Sequence, residues 1–249
     1  MTKVSIITAV FNAEKFIGDT YRSLEAQTFT DWEWVVTNDF STDSTEKILS
    51  DIAAKDKRVK VFKNSTNQGA GYSRNRSISE SQGKFIAFID SDDLWDREKL
   101  CRQIDFMEAN DILISFTSYR VISEDGVFLG KVVDRNSPKK ITYQDLLAKK
   151  ATVGCSTVII DQTKISVSMP LLSTGQDYAT WLSILKRGNV ALKFEETLAS
   201  YRIVSNSISR NKFKKAVRQW QIYRSIEKLN FYSSAYYFIH YAFRAILRK

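Results

Sequence analysis

Asp90-Ser91-Asp92-Asp93 puts three carboxylates directly after the apolar run Phe85-Ile-Ala-Phe-Ile89. Crowded carboxylates repel one another unless a cation sits among them. Hard divalent cations such as Mn²⁺ and Mg²⁺ prefer oxygen ligands, and a Mg²⁺ site commonly combines one or two carboxylates with substrate phosphates. The same residues also suit helix capping, with Asp93 as N-cap and Asp96 in the first turn. Both readings stand on these residues alone.

Further segments carry chemistry of other kinds. Asp39 closes Trp34-Val-Val-Thr-Asn-Asp39, where a carboxylate can accept a hydrogen bond from a nucleobase ring N–H. The following Asp43-Ser-Thr-Glu46 has capping-box spacing and reads as the start of a helix. Asn67-Gln-Gly69-Ala-Gly71-Tyr-Ser-Arg74-Asn75 opens a helix with two glycines and sets Arg74 in its first turns, a placement suited to a pyrophosphate. An exposed arginine on an ordinary helix has the same pattern. Thr174-Gly-Gln-Asp177 places Asp177 at the capping-box position of another helix. Tyr201-Arg202-Ile-Val-Ser-Asn-Ser207-Ile-Ser209 is a polar segment that alone implies a loop.

The elements that position these residues alternate. Val4–Ala9, Trp32–Thr37, Val59–Phe62 and Phe85–Ile89 read as strands, and 13–26, 43–54 and 70–81 as helices. Such alternation predicts an α/β fold with a parallel sheet and helices on its faces. Ligands of open sheets bind at the carboxyl ends of the strands, which is where Phe11, Asp39, Asn64–Asn67 and Asp90–Asp93 fall. Beyond Trp95 the pattern is mixed. It predicts helices at 96–109, 142–149 and 177–187, strands near 112–122, 127–133, 156–160 and 190–203, and two helices after 210.

Length and charge narrow the class. The 249 residues suffice for one α/β catalytic domain with a C-terminal appendage. The net charge of +9 is concentrated: residues 210–249 hold ten Lys or Arg against one acid, Glu227, which leaves 27 basic and 27 acidic residues before them. The body is neutral and the tail basic; it is the last helix that favours a membrane over nucleic acid as the tail's partner. The boundary falls near Ser205–Asn211, giving a catalytic domain at 1–209 and basic helices at 210–249. In the last helix Ser233, Tyr237, His240, Arg244 and Arg248 form a polar stripe among apolar residues. The uncharged run Phe231–Phe243 is shorter than the roughly 20 residues a membrane span needs. The tail is therefore expected to lie in a membrane interface, with packing on the protein's own core as the alternative. Cys101 and Cys155 have neither metal-ligand nor disulfide spacing. With no signal-peptide pattern at the N-terminus, the expected location is cytoplasmic, on the inner face of the membrane.

In order, these segments resemble the motifs of the family 2 glycosyltransferases, which have a GT-A fold. The resemblance covers about residues 3–209. It rests on Val4-Ser-Ile-Ile-Thr-Ala-Val-Phe11-Asn12, Asn38-Asp39-Phe40-Ser41-Thr42-Asp43, Asn67 to Asn75, Asp90 to Asp93, Gly175-Gln176-Asp177 and Tyr201 to Ser209. It implies a nucleotide-binding mixed sheet with a helical C-terminal tail. It also implies that Phe11 and Asp39 contact the base, Arg74 the diphosphate, Asp90 the ribose or metal shell, and Asp92 the metal, with Asp177 the catalytic base. Three residues depart from the family pattern. Phe11 stands in place of the usual Tyr, Asn38-Asp39-Phe40 replaces the first Asp and the Gly of D-D-G, and Gln176 replaces a Glu.

The resemblance further implies transfer from a nucleotide-sugar, with UDP the expected nucleotide and inversion at the anomeric carbon. The acceptor it suggests is a lipid-linked glycan of O-antigen or capsule assembly. A nucleotidyltransferase is the rival enzyme class, but Val10-Phe-Asn-Ala-Glu14 lacks the glycine- and base-rich loop that class needs after its first strand. A non-catalytic membrane- or nucleic-acid-binding module would account for the tail alone.

Overall fold

The computed structural model describes residues 2–204 and 212–247. The expected boundary at 205–211, the second half of the Tyr201–Ser209 segment, and Arg248 lie outside the described residues.

Four parallel strands form one half of the sheet: β1 (Val4–Val10), β2 (Trp32–Asn38), β3 (Val59–Lys63) and β4 (Phe85–Phe88), in the order β3-β2-β1-β4. They are linked by α1 (Ile17–Glu25), α2 (Thr45–Lys55) and α3 (Ala70–Ser79). After β4 come β5 (Leu94–Trp95), α4 (Lys99–Ala109), β6 (Ile114–Ile122), β7 (Phe128–Val133), β8 (Lys140–Ile141) and α5 (Tyr143–Leu147). A 3-10 turn at Cys155–Thr157 leads into β9 (Ile159–Asp161), followed by α6 (Gln176–Lys186), β10 (Ala191–Arg202), α7 (Lys212–Gln221) and α8 (Phe231–Leu247). The sheet continues β4-β9-β6-β10-β5, with β7 on β6 and β8 on β10. β9 runs antiparallel to both β4 and β6, so the sheet is mixed.

The strands bury both faces, as a sheet covered by helices must. Ile7, Val35, Ile86 and Phe88 face one core, closed by α5, α6 and the C-terminal helices. Val4, Ile6, Trp34, Val36 and Ala87 face the other, closed by Ile17 and Leu24 of α1, Leu49 of α2, and Leu100 and Ile104 of α4. The tail joins the first core: Tyr223 is fully buried and donates to Leu147 O at 2.6 Å, and Tyr237 and Phe238 of α8 pack against the same cluster.

Three local expectations are corrected. The helix expected from residue 96 begins at Lys99, with Glu98 as N-cap, because β5 pairs Leu94–Trp95 with β10 first. Asp93 and Asp96 therefore cap nothing. The helix after Asp43 has Ser44 as N-cap and no capping box, since Glu46 turns to Lys63 at 2.7 Å, while Asp43 keeps a capping part by accepting from Thr45 N at 3.0 Å. The segment expected as strands around 190–203 is one strand, β10, with register shifts against β6 between Phe194 and Ala199.

Candidate active site

The carboxyl ends of β1 and β2 carry two loops joined to each other. Asn12 N donates to Ser41 Oγ at 3.0 Å, and Asn12 Oδ1 accepts from Thr42 N at 2.8 Å. Two aromatic side chains stand exposed on these loops, Phe11 at 48% and Phe40 at 44%. Phe40 has φ 63°, in the left-handed region, which explains why glycine suits this position in the motif.

Asp39 is buried and fixes the neighbouring loop. Its Oδ1 accepts from Asn64 Nδ2 and Gln68 N, both at 2.8 Å, and its Oδ2 accepts from Gly69 N at 2.7 Å. Gly69, at φ 86°, is the N-cap of α3. Asn75 clamps α3 to the segment before α6 through two bonds with Met169, at 2.7 and 2.8 Å. Gly71 permits the approach, since a Cβ there would lie 2.8 Å from Pro170 O.

Arg74 is 7% exposed, not the free surface arginine its sequence context also allowed. Its Nη2 donates to Asp90 Oδ1 at 2.5 Å, while its Nε is buried without a partner. Burial alone would lower the Arg74 pKa, but Cys155, Asp90 and Asp177 hold it above the usual arginine range. The guanidinium thus joins α3 to the end of β4, and Asp177 at the start of α6 lies within reach of its charge. Asp92 lies in the same field: burial first, then Asp90, pushes its pKa up to about 6, against the opposing pull of Arg202 and Arg74.

Asp93 has a structural part. It accepts from Ser156 Oγ at 2.5 Å and from Arg202 N at 3.0 Å, and burial together with Asp92 and Asp90 raises its pKa well above the carboxylate range. Ser156 Oγ in turn accepts from Asp90 N at 3.0 Å. Arg202, in the Tyr201–Ser209 segment, is a functional residue that the sequence does not single out. Buried at the end of β10, it donates from Nε to Asp92 O at 2.8 Å and lies 3.4 Å from Asp19 Oδ2. Its pairing with Phe16, 5.0 Å from the ring centroid, completes the support under the acidic turn.

Asp177 sits in the first turn of α6, where the helix dipole favours a carboxylate. The N-cap of α6 is Gly175 at φ 79°, with no side-chain cap bond, so the Thr174–Asp177 capping box does not form. The structure therefore groups Arg74, Asp90, Asp92 and Asp177, while Phe11, Phe40 and Asp39 belong to the adjoining loops.

The sequence profile of "Glycosyl transferase family 2" matches residues 5–161. The chain belongs to this family. TuaG of Bacillus subtilis, named for teichuronic acid biosynthesis, is 41% identical over 247 residues, 99% of this chain and 97% of TuaG. WfgD of Escherichia coli, a UDP-Glc:α-D-GlcNAc-diphosphoundecaprenol β-1,3-glucosyltransferase, is 38% identical over 241 residues, 96% of this chain and 91% of WfgD. The family 2 glycosyltransferase fold is shared with S. aureus TarS 1–349 in complex with UDP-GlcNAc at TM-score 0.68 and 22% identity, covering 88% of this chain and 66% of that one.

Among the described residues of this glycosyltransferase, no group of three or more His, Cys, Asp and Glu forms a metal cage. The donor set still fits a hard divalent cation. Asp90 and Asp92 repel each other across a partly buried turn, and two carboxylates suffice where substrate phosphates supply the remaining oxygens.

Proposed function

We propose that this family 2 glycosyltransferase transfers a sugar, with inversion, from a UDP-sugar to a hydroxyl of a lipid-diphosphate-linked glycan. The observation that carries the reading is the grouping around Arg74 of Asp90, Asp92 and Asp177, at strand ends beside the exposed Phe11. The 38% identity to WfgD supports the donor and acceptor classes.

Phe11 stacks on the base and Asp39 accepts from it through the lone pair that its loop bonds leave on Oδ2. Arg74 meets the diphosphate with its unpartnered Nε, and Asp90 meets the ribose or the metal shell. Asp92, with Asp90, would hold Mn²⁺ or Mg²⁺, which when bound neutralises charge developing on the leaving diphosphate. Asp177 takes the proton of the acceptor hydroxyl as its oxygen bonds to the anomeric carbon. The bond from that carbon to the donor diphosphate breaks, and UDP leaves with the electron pair. Attack opposite the leaving group converts an α-linked donor into a β-linkage.

The segment 210–249 is proposed to hold the enzyme peripherally at the cytoplasmic face of the membrane. No helix among the described residues is long and apolar enough to cross a membrane. Tyr232, Tyr236, Ile239 and Phe243 of α8 are each more than half exposed, at helical spacings of four, three and four. Ser234, Tyr237 and Phe238 turn inward instead. An aromatic and aliphatic outer face beside exposed Arg224 and Lys228 has the composition of an interfacial helix.

The test is a panel of radiolabelled nucleotide-sugars with Mn²⁺, with and without lipid-diphosphate sugars. Release of UDP coupled to labelled lipid product is expected. Release of pyrophosphate from UTP and a sugar phosphate would instead establish the nucleotidyltransferase reading.

A further inference from the structure

Arg218 of α7 lies against Gly175, the residue that caps α6. A Cβ at Gly175 would stand 3.0 Å from Arg218 Cδ and 3.1 Å from its Nε. The middle of α7 is thereby seated at Gly175, two residues before Asp177 in the chain. Arg218 forms no ion pair among the described residues, and its Nε is buried without a hydrogen-bond partner. Lys215, one turn earlier on the same helix, is partly buried. Burial, then the charge of Arg218, pushes the Lys215 pKa down.

Two cations thus share one helix face, and the acid nearest in the chain is already committed. Glu227 accepts from Lys186 Nζ at 3.0 Å and from Tyr143 OH at 2.7 Å. A buried guanidinium N–H without an acceptor costs about 1–3 kcal/mol, and a like charge one turn away adds to it. An oxyanion between Arg218 and Lys215 would offset both. The anion this place suits is a diphosphate. Arg74 already answers for the donor's, whereas Arg218 belongs to the helix that leads to the exposed apolar face of α8. A sugar attached to a lipid through a diphosphate presents, in order, a hydroxyl, two phosphates and an apolar chain. Asp177, the Arg218–Lys215 pair and α8 present the complementary series.

We propose that Arg218 and Lys215 form the subsite for the acceptor's diphosphate. The assignment rests on the lipid-diphosphate acceptor reading above.

Octyl diphosphate, titrated calorimetrically into the full chain with UDP and Mn²⁺ present, reads this subsite without knowledge of the sugar. Arg218→Ala is expected to weaken that binding about tenfold or more, the loss of one charge-assisted contact, while UDP affinity and melting temperature hold. Arg218→Lys should recover part of it, and Lys47→Ala, an exposed control on α2, should change nothing. Wild-type affinity in Arg218→Ala overturns the subsite, and an equal fall in UDP affinity moves Arg218 to the donor. Failure of wild type to turn over any lipid-diphosphate sugar overturns the acceptor reading and the subsite together. Turnover of such a substrate with an unchanged acceptor KM in Arg218→Ala overturns the subsite alone.

Discussion

Arg74 pairs with Asp90 across 2.5 Å, and two residues further on Asp92 is the carboxylate pushed up, to about 6, by burial and by Asp90 itself. The guanidinium compensates one carboxylate and leaves the other to a different cation. Asp92→Asn is therefore expected to abolish Mn²⁺-dependent turnover and to weaken UDP binding in Mn²⁺, while leaving UDP binding in EDTA unchanged. Full turnover by wild type in excess EDTA would contradict the metal assignment.

Phe40 combines a left-handed backbone with an exposed ring, on the loop that hydrogen-bonds the one carrying Phe11. A side chain other than glycine costs about 1–2 kcal/mol there, and such strain persists where function retains it. Phe40→Gly should raise stability by up to about 1 kcal/mol in urea unfolding, since glycine's greater freedom when unfolded offsets part of the relief. Calorimetry should show weaker UDP binding in the same variant. Unchanged UDP affinity would show that the exposed Phe40 ring takes no part in donor binding.

Much of this arrangement was legible in sequence because β1, β2 and β4 are mainly apolar runs closed by polar residues, the pattern of parallel strands buried on both faces. Local grammar misled where a distant partner overrode it. Asp93 looks like an N-cap from its neighbours, but Ser156, 63 residues away, claims its carboxylate. Arg202 supports Asp92 across 110 residues of chain, a relation that no local pattern encodes. β5 and β8, at two residues each, are too short to show any period. The glycine missing at Phe40 was visible, but its meaning required the backbone angle.

Lys99 is fully buried, donates to Gln103 Oε1 at 2.5 Å, and has its pKa lowered by burial from 10.5 to about 7. Between those pH values the unfolded chain holds a proton that the folded chain has released. Stability therefore rises with pH from about 7 towards 10, by about 1 kcal/mol per pH unit from this residue. Lys99→Met should lose that rise. Parallel urea unfolding of both proteins at pH 7, 8 and 9 checks it, and identical slopes would exclude Lys99 as the cause.

The outer face of α8 separates membrane binding from folding. Ile239→Glu places a charge where the side chain is exposed, so melting temperature should hold while sedimentation with anionic vesicles falls. Turnover of a short-chain, water-soluble acceptor should be unaffected. Vesicle binding equal to wild type would assign this face another role.

Asp177 bears the central claim, and its position separates chemistry from helix capping. The N-cap is Gly175 and no side-chain cap bond exists, so Asp177→Asn removes a favourable first-turn charge, worth about 0.3–1 kcal/mol, together with its attraction for Arg74. The amide keeps the shape but cannot take up the acceptor's proton. Turnover, UDP affinity and melting temperature measured on one preparation of Asp177→Asn are the decisive comparison. The predicted result is a fall in turnover of about 10²–10⁴ with UDP affinity and melting temperature close to wild type. A near-normal rate would contradict Asp177 as the base.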